Sequence, residues 1–199
     1  MRYADGDRMT ARPRLSRPAG LSSARAERLD AFAFRRGSTL PLFEALAHSQ
    51  IALEDLAAGT HAAIETTMLP MRLREILILR TLAQWGARAE WDVHVLLYAP
   101  AAPLTQVEIE RLGGSGRMLG WSAGERLMIN LADSLRQGAG IPENLWHALA
   151  HAFDAPMLAE ILMIATQYVK VALMTNALAI PALVPDGPAI ALSKGTAHG

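Results

Sequence analysis

Between Met71 and Trp85 the chain reads MRLREILILRTLAQW, helix-forming and nearly apolar on all sides apart from Arg74, Glu75 and Arg80. A helix without a polar face has no side to give to solvent, so other elements must wrap it. This predicts a buried central helix with the rest of the fold packed around it. Pro70 stands just before it and suits a first turn, where a missing N–H leaves nothing unpaired. Gly86 breaks the run, and AEWDVHVLLYA restarts as a second apolar helix that stops at APAAP. A break this short lets the two helices fold back on each other as an antiparallel pair.

The remaining segments read as helices too. Ser22 to Arg35 alternates charged and small apolar residues before GST interrupts it. In LPLFEALAHSQIALEDLAAGTHAAIE, residues Leu42, Leu46, Ile51, Leu53, Leu56 and Ile64 recur at helical spacing. Thr105 with Glu108, and Ser122 with Glu125, have the spacing of capping boxes at two helix starts. IPENLWHALAHAF runs to the DAP break, and MLAEILMIATQYVKVALMTNALAIP is a long apolar helix closed by Pro181. No alternating strand pattern and no longer repeat interrupts this order. The expected fold is all-α: one helical domain over residues 21–183, after a flexible basic segment (1–20) carrying Arg2, Arg8, Arg12, Arg14 and Arg17, and before a flexible tail (184–199).

Composition narrows the partners. Of 199 residues, 51% are hydrophobic and 19% charged, more apolar surface than a single domain readily hides, so a homo-oligomer is expected. With Lys+Arg 19 and Asp+Glu 19 the net charge is zero, and neither a nucleic acid nor a membrane surface is an expected partner. The start has no apolar core of a secretory signal, and no run of about 18 uninterrupted apolar residues suggests a span. The absence of cysteine rules out disulfides, thiolate metal ligands and thiol redox chemistry, and fits a cytoplasmic location. No GxGxxG, P-loop or GxSxG motif points to a nucleotide or a serine nucleophile.

Three ionisable residues fall where burial is expected: Glu75, Glu90 and His94. Glu90 and His94 are four apart, so one helix face presents both, and a carboxylate beside an imidazole orients the ring for general acid–base work. Glu75 approaches them if the two helices fold back. The bland reading is an ion pair of Glu75 with Arg72, Arg74 or Arg80, and a purely structural network. Tyr168 interrupts an apolar helix and is a candidate hydrogen-bond donor to a substrate, with Trp91 as an apolar wall; Lys170 is better read as snorkelling or pairing. His147 and His151 have a zinc-compatible spacing but lack the glutamate of HExxH and a third ligand.

The span Leu69 to Pro181 resembles the carboxymuconolactone decarboxylase family, whose alkylhydroperoxidase relatives share its fold. The resemblance is carried by LREILILRTLAQWGARAEWDVHV, PLTQVEIERL, WSAGERLMINLADSL and LAEILMIATQYVKVALMTNALAIP, in that order. In the peroxidase branch a helix glutamate precedes a Cys-x-x-Cys and then a histidine. Glu75 and His94 match the glutamate and histidine, while the cysteine positions are Ala87 and Glu90. The resemblance therefore implies the cysteine-free branch: an alkylhydroperoxidase-like helical bundle, trimers or hexamers, and no metal or organic cofactor. It implies a lyase that decarboxylates, cleaves or isomerises a small unsaturated or keto acid or lactone, as in aromatic-compound catabolism. His94 would move the proton, Glu90 would orient it, Glu75 would relay, and Tyr168 would contact substrate. The scarcity of basic residues on these helices suggests a substrate more apolar than a tricarboxylate-pathway lactone. Two other readings stay open: a non-catalytic helical oligomer binding an apolar small molecule or partner protein, and metal binding through Glu90/His94 or His147/His151.

Overall fold

The computed structural model describes residues 12–34, 38–114, 120–138 and 140–183. The expectations for residues 1–11 and 184–199 lie outside them. The described chain is all-helical in class, in the order α1 (Ser23–Asp30), α2 (Pro41–Leu46), α3 (Gln50–His61), a π-helical turn (Ala62–Thr66), α4 (Met71–Gln84), α5 (Arg88–Leu97), α6 (Gln106–Gly113), α7 (Ala123–Gln137), α8 (Glu143–Ala152) and α9 (Ala155–Ala177). One detail departs from the sequence reading: α1 ends at Asp30, and Ala33–Phe34 pairs antiparallel with Ser38–Thr39 as strands β1 and β2. Two-residue strands are too short for alternation to register in a sequence.

α4 is the axis. Its residues from Arg74 to Ala83 are all buried, with α5, α6, α7 and α9 packed around it. The polar interruptions of this helix are its fastenings. Arg72 pairs with Glu108 and donates its Nε to Glu125 Oε1 at 2.6 Å, and these are the glutamates of the two capping boxes, both formed. One guanidinium thus ties the N-termini of α6 and α7 to α4. Arg80 holds the other end of α6 through the carbonyls of Leu112 (2.9 Å) and Gly114 (2.7 Å), and grips Asp133 of α7 at 2.6 Å.

The turn after α4 decides where α5 lies. Gly86 has φ 66°, and its N–H donates to Ala83 O while Ala87 N–H reaches Leu82 O at 2.9 Å. This is the paired bonding of a Schellman motif, in which glycine alone takes the left-handed position without strain. The chain reverses, and α5 packs back on α4.

The N-terminal part wraps this core. The expected single run from Leu40 to Glu65 is split at His48, because Ser49 caps a new helix by accepting from Ala52 N–H. Of the segment expected to be flexible, residues 12–20 are held against the body: Arg14 donates its backbone N–H to Leu178 O and its guanidinium to Ala177 O, both at 2.8 Å, closing the end of α9. α9 itself, 23 residues with an 18-residue window of mean hydropathy 1.5, has the length and composition of a membrane span. In this fold Ile161, Ile164, Ala165, Tyr168, Val171 and Ala172 on its inner face are core.

Candidate active site

Folding α5 onto α4 brings His94 to Glu75. His94 Nδ1 lies 2.7 Å from Glu75 Oε2, and both side chains are buried. The second carboxylate oxygen, Glu75 Oε1, accepts from Arg74 Nε at 2.9 Å, and Arg74 Nη1 donates to Ile64 O at 2.7 Å within the π-helical turn. Of the three arginines the sequence offered to Glu75, Arg74 is the partner; Arg72 and Arg80 are taken by other helices.

Burial pushes the Glu75 carboxyl up, but His94 and Arg74 together outweigh that and hold it below its ordinary value. The ionised carboxylate only accepts, so the ring proton sits on Nδ1 and Nε2 is the basic nitrogen. Nε2 makes no hydrogen bond among the described residues.

Glu90 does not orient His94, contrary to the sequence expectation. The ring turns across the helix pair to Glu75, and the Glu90 carboxyl has no hydrogen-bond partner among the described residues. Desolvation pushes it up to about 7, against the pull of His94. The two glutamates therefore exchange roles. Glu75 is the ionised orienting group, and Glu90 is a buried carboxyl protonated for much of the time near neutral pH.

Two tyrosines flank the ring. Tyr168 meets it edge-on at 4.9 Å between centroids, and Tyr98 lies at 4.9 Å with a tilt of 32°. Burial first, and then the nearby Glu75 and Glu90, raise the Tyr168 phenol well above its usual value, so it stays a donor. Tyr98 was missed in the sequence, although it stands four residues beyond His94 at the C-terminal cap of the same helix, a spacing as visible as that of Glu90. Trp91 is displaced from its expected role: it is 3% exposed, belongs to the main core and does not line the cavity. One residue past Glu90, it points about 100° further round α5.

Glu90, His94, Tyr98 and Tyr168 share a cavity with Val93 and Val171. Its opposite wall comes from the N-terminal part of the chain, with Leu40, Leu42 and Phe43 at α2 and Leu56 and Thr60 on α3. The volume is ≈ 20 Å³, room for about one water. A larger open hollow of ≈ 490 Å³ lies between α7 and α8, but its carboxylate, Asp133, is engaged by Arg80 and Gln84. The buried ionisable residues Glu90 and His94 line the smaller cavity. His147 and His151 are exposed on α8, and no group of three metal-ligating residues occurs among the described residues. Lys170 pairs with Asp55 at 2.9 Å.

Set against known protein families, curated proteins and solved structures, the chain matches none of them.

Proposed function

We propose that this chain is a cofactor-independent acid–base enzyme of the carboxymuconolactone decarboxylase type. It would decarboxylate, cleave or isomerise a small carbonyl compound by moving a proton beside the carbonyl. The observation that carries the reading is the buried Arg74–Glu75–His94 series, whose last member lines a cavity. An ionised carboxylate at Nδ1 stabilises the imidazolium formed when Nε2 accepts a proton. Tyr168 and protonated Glu90 are donors suited to the oxygen that gains charge in the same step. The resemblance points the same way, since Glu75 and His94 occupy its glutamate and histidine positions. Proton transfer of this kind calls for no metal or organic cofactor. A cytoplasmic homo-oligomer, trimeric or hexameric, belongs to the same reading; thiol peroxide reduction does not, because the chain has no cysteine.

A second reading is favoured by one observation: a ≈ 20 Å³ cavity is far below the size of an occupied ligand site. On that reading the polar series is a structural network in an oligomer that binds an apolar molecule or partner elsewhere. The two separate on His94→Ala, assayed beside wild type with 4-carboxymuconolactone, a panel of β-keto and unsaturated acids, and uncharged ketones and lactones, following CO₂ release, α-proton exchange and product mass. An acid–base enzyme loses about 10²–10⁴-fold in rate while its fold and assembly persist. A structural network loses stability and has no turnover to lose.

A further inference from the structure

The cavity wall facing His94 carries no charge. Leu40, Leu42, Phe43 and Leu56 are hydrocarbon, and Thr60 contributes one hydroxyl. On the near side, the polar groups besides the imidazole are the carboxyl of Glu90 and the phenols of Tyr98 and Tyr168. No lysine or arginine is among the described residues that line it. Arg74 is not among the lining residues: its Nε donates to Glu75 and its Nη1 to Ile64 O, with its carbon 6.0 Å from the Tyr98 ring centre.

An anionic ligand here would be desolvated without a counter-charge and would face Glu90, the costliest arrangement for a charge in an apolar site. An uncharged carbonyl oxygen finds what it needs, hydrogen-bond donors on one side and hydrocarbon on the other.

We propose that this site takes an uncharged, largely apolar carbonyl compound, a ketone or lactone, with its oxygen held by Tyr168 and the Glu90 carboxyl and the neighbouring C–H facing His94 Nε2. The inference rests on the acid–base reading and narrows its substrate class. In the reaction, His94 Nε2 takes the proton from the carbon beside the carbonyl. The C–H electron pair becomes the carbon–carbon double bond of an enolate, and the carbonyl π pair moves to the oxygen that Tyr168 and Glu90 hold. The imidazolium, steadied by Glu75, returns the proton to that carbon or to the far end of a conjugated system, and atoms and electrons balance.

Because ≈ 20 Å³ admits about one water, the substrate enters as the Leu40–Leu46 segment moves outward. That segment is held by the burial of Leu42, Phe43, Ala45 and Leu46 in the core, by the Phe32–Phe43 stack at 4.0 Å, by Arg25 to Ala47 O at 2.9 Å and by the Arg17–Glu44 pair at 3.4 Å. Its opening uncovers apolar surface that a bound apolar substrate covers again. The apolar body of the substrate then lies where Leu42 and Phe43 stood, so these residues determine which substrates fit.

The test uses the full chain with two probes of similar size, cyclohexanone and cyclohexanecarboxylate. Exchange of the ketone's α-protons in D₂O is followed by NMR, and binding of both probes by ligand-observed NMR. The expected result is catalysed exchange, lost in His94→Ala and lowered about 10²-fold or more in Tyr168→Phe, which keeps the ring and hence the packing. The carboxylate should neither bind nor compete. Absence of exchange on the ketone, or binding of the carboxylate as tight as the ketone's, overturns the proposal. The acid panel of the preceding section then separates the two failures: turnover there preserves the acid–base reading with an anionic substrate, and an inert panel removes both.

Discussion

His94 Nδ1 and Glu75 Oε2 stand 2.7 Å apart across nineteen residues of chain, while Glu90, one turn before His94 on the same helix, makes no hydrogen bond to it. This pairing fixes the imidazole tautomer and gives each glutamate a different charge. The expected outcomes below follow from that division and from the fastenings that maintain it.

Replacing Glu75 by Gln should cost roughly 3 kcal/mol or more of stability at neutral pH, because it leaves the Arg74 guanidinium buried without its counter-charge. The Glu75 carboxyl is lowered in the folded protein, so its contribution is present above the unfolded value of 4.5 and disappears as pH falls through the folded value. Denaturant unfolding of wild type and variant should differ most near neutrality and converge in acid. Equal stability at neutral pH would mean that the Arg74–Glu75 contact is not an ion pair.

Glu90→Gln should behave in the opposite sense. The folded carboxyl is raised from 4.5 to about 7, so the folded state binds its proton more tightly than the unfolded chain does. Wild type therefore loses stability as pH rises from 4.5 to about 7, and the loss levels off above that, amounting to roughly 3 kcal/mol. The amide has no charge to bury. Its melting temperature should match wild type near pH 4 and exceed it at pH 8, as read by calorimetry across that range. A wild-type advantage at pH 8 would show Glu90 to be ionised and paired.

Arg72→Met removes the clip on both capping boxes. A loss of about 2 kcal/mol is expected, since the guanidinium is partly exposed and its pairs are screened. Its hydrogen bond is the main influence lowering Glu108 from 4.5 to about 2, so the stability it supplies is present above 4.5 and lost as pH falls through about 2. The gap between wild type and variant should therefore close on acidification. Hydrogen exchange should show the first turns of α6 and α7 opening together, and opening of α6 alone would mean that Glu125 is held independently.

Gly86→Ala places a Cβ at φ 66° and should cost roughly 1–2 kcal/mol. The Schellman turn aims α5 at α4, so the His94–Glu75 bond should weaken along with the fold. NMR of the His94 ring nitrogens tests this: a wild-type Nδ1–H signal in the variant would show that α5 is positioned by packing alone.

Much of this protein is legible residue by residue. The apolar run of α4, the Gly86 break, the capping boxes at Thr105 and Ser122 and the burial of Glu75, Glu90 and His94 all follow from periodicity and local hydrogen bonding, which depend on neighbours a few residues away. The all-α class follows from them. The β1–β2 pair and the split between α2 and α3 were less legible, because each turns on two or three residues within an otherwise helical pattern.

Tertiary structure alone decided which carboxylate holds His94. The i, i+4 spacing places Glu90 within reach, but the rotation of α5 on α4 turns the ring to Glu75, and that rotation is set by side chains far apart in sequence. The closing of the cavity by Leu40, Leu42, Phe43, Leu56 and Thr60 is likewise a long-range packing result that no spacing encodes. The sequence determined which ionisable groups are buried; the packing of helices distant along the chain determined which of them is charged, which carries the proton and what faces them.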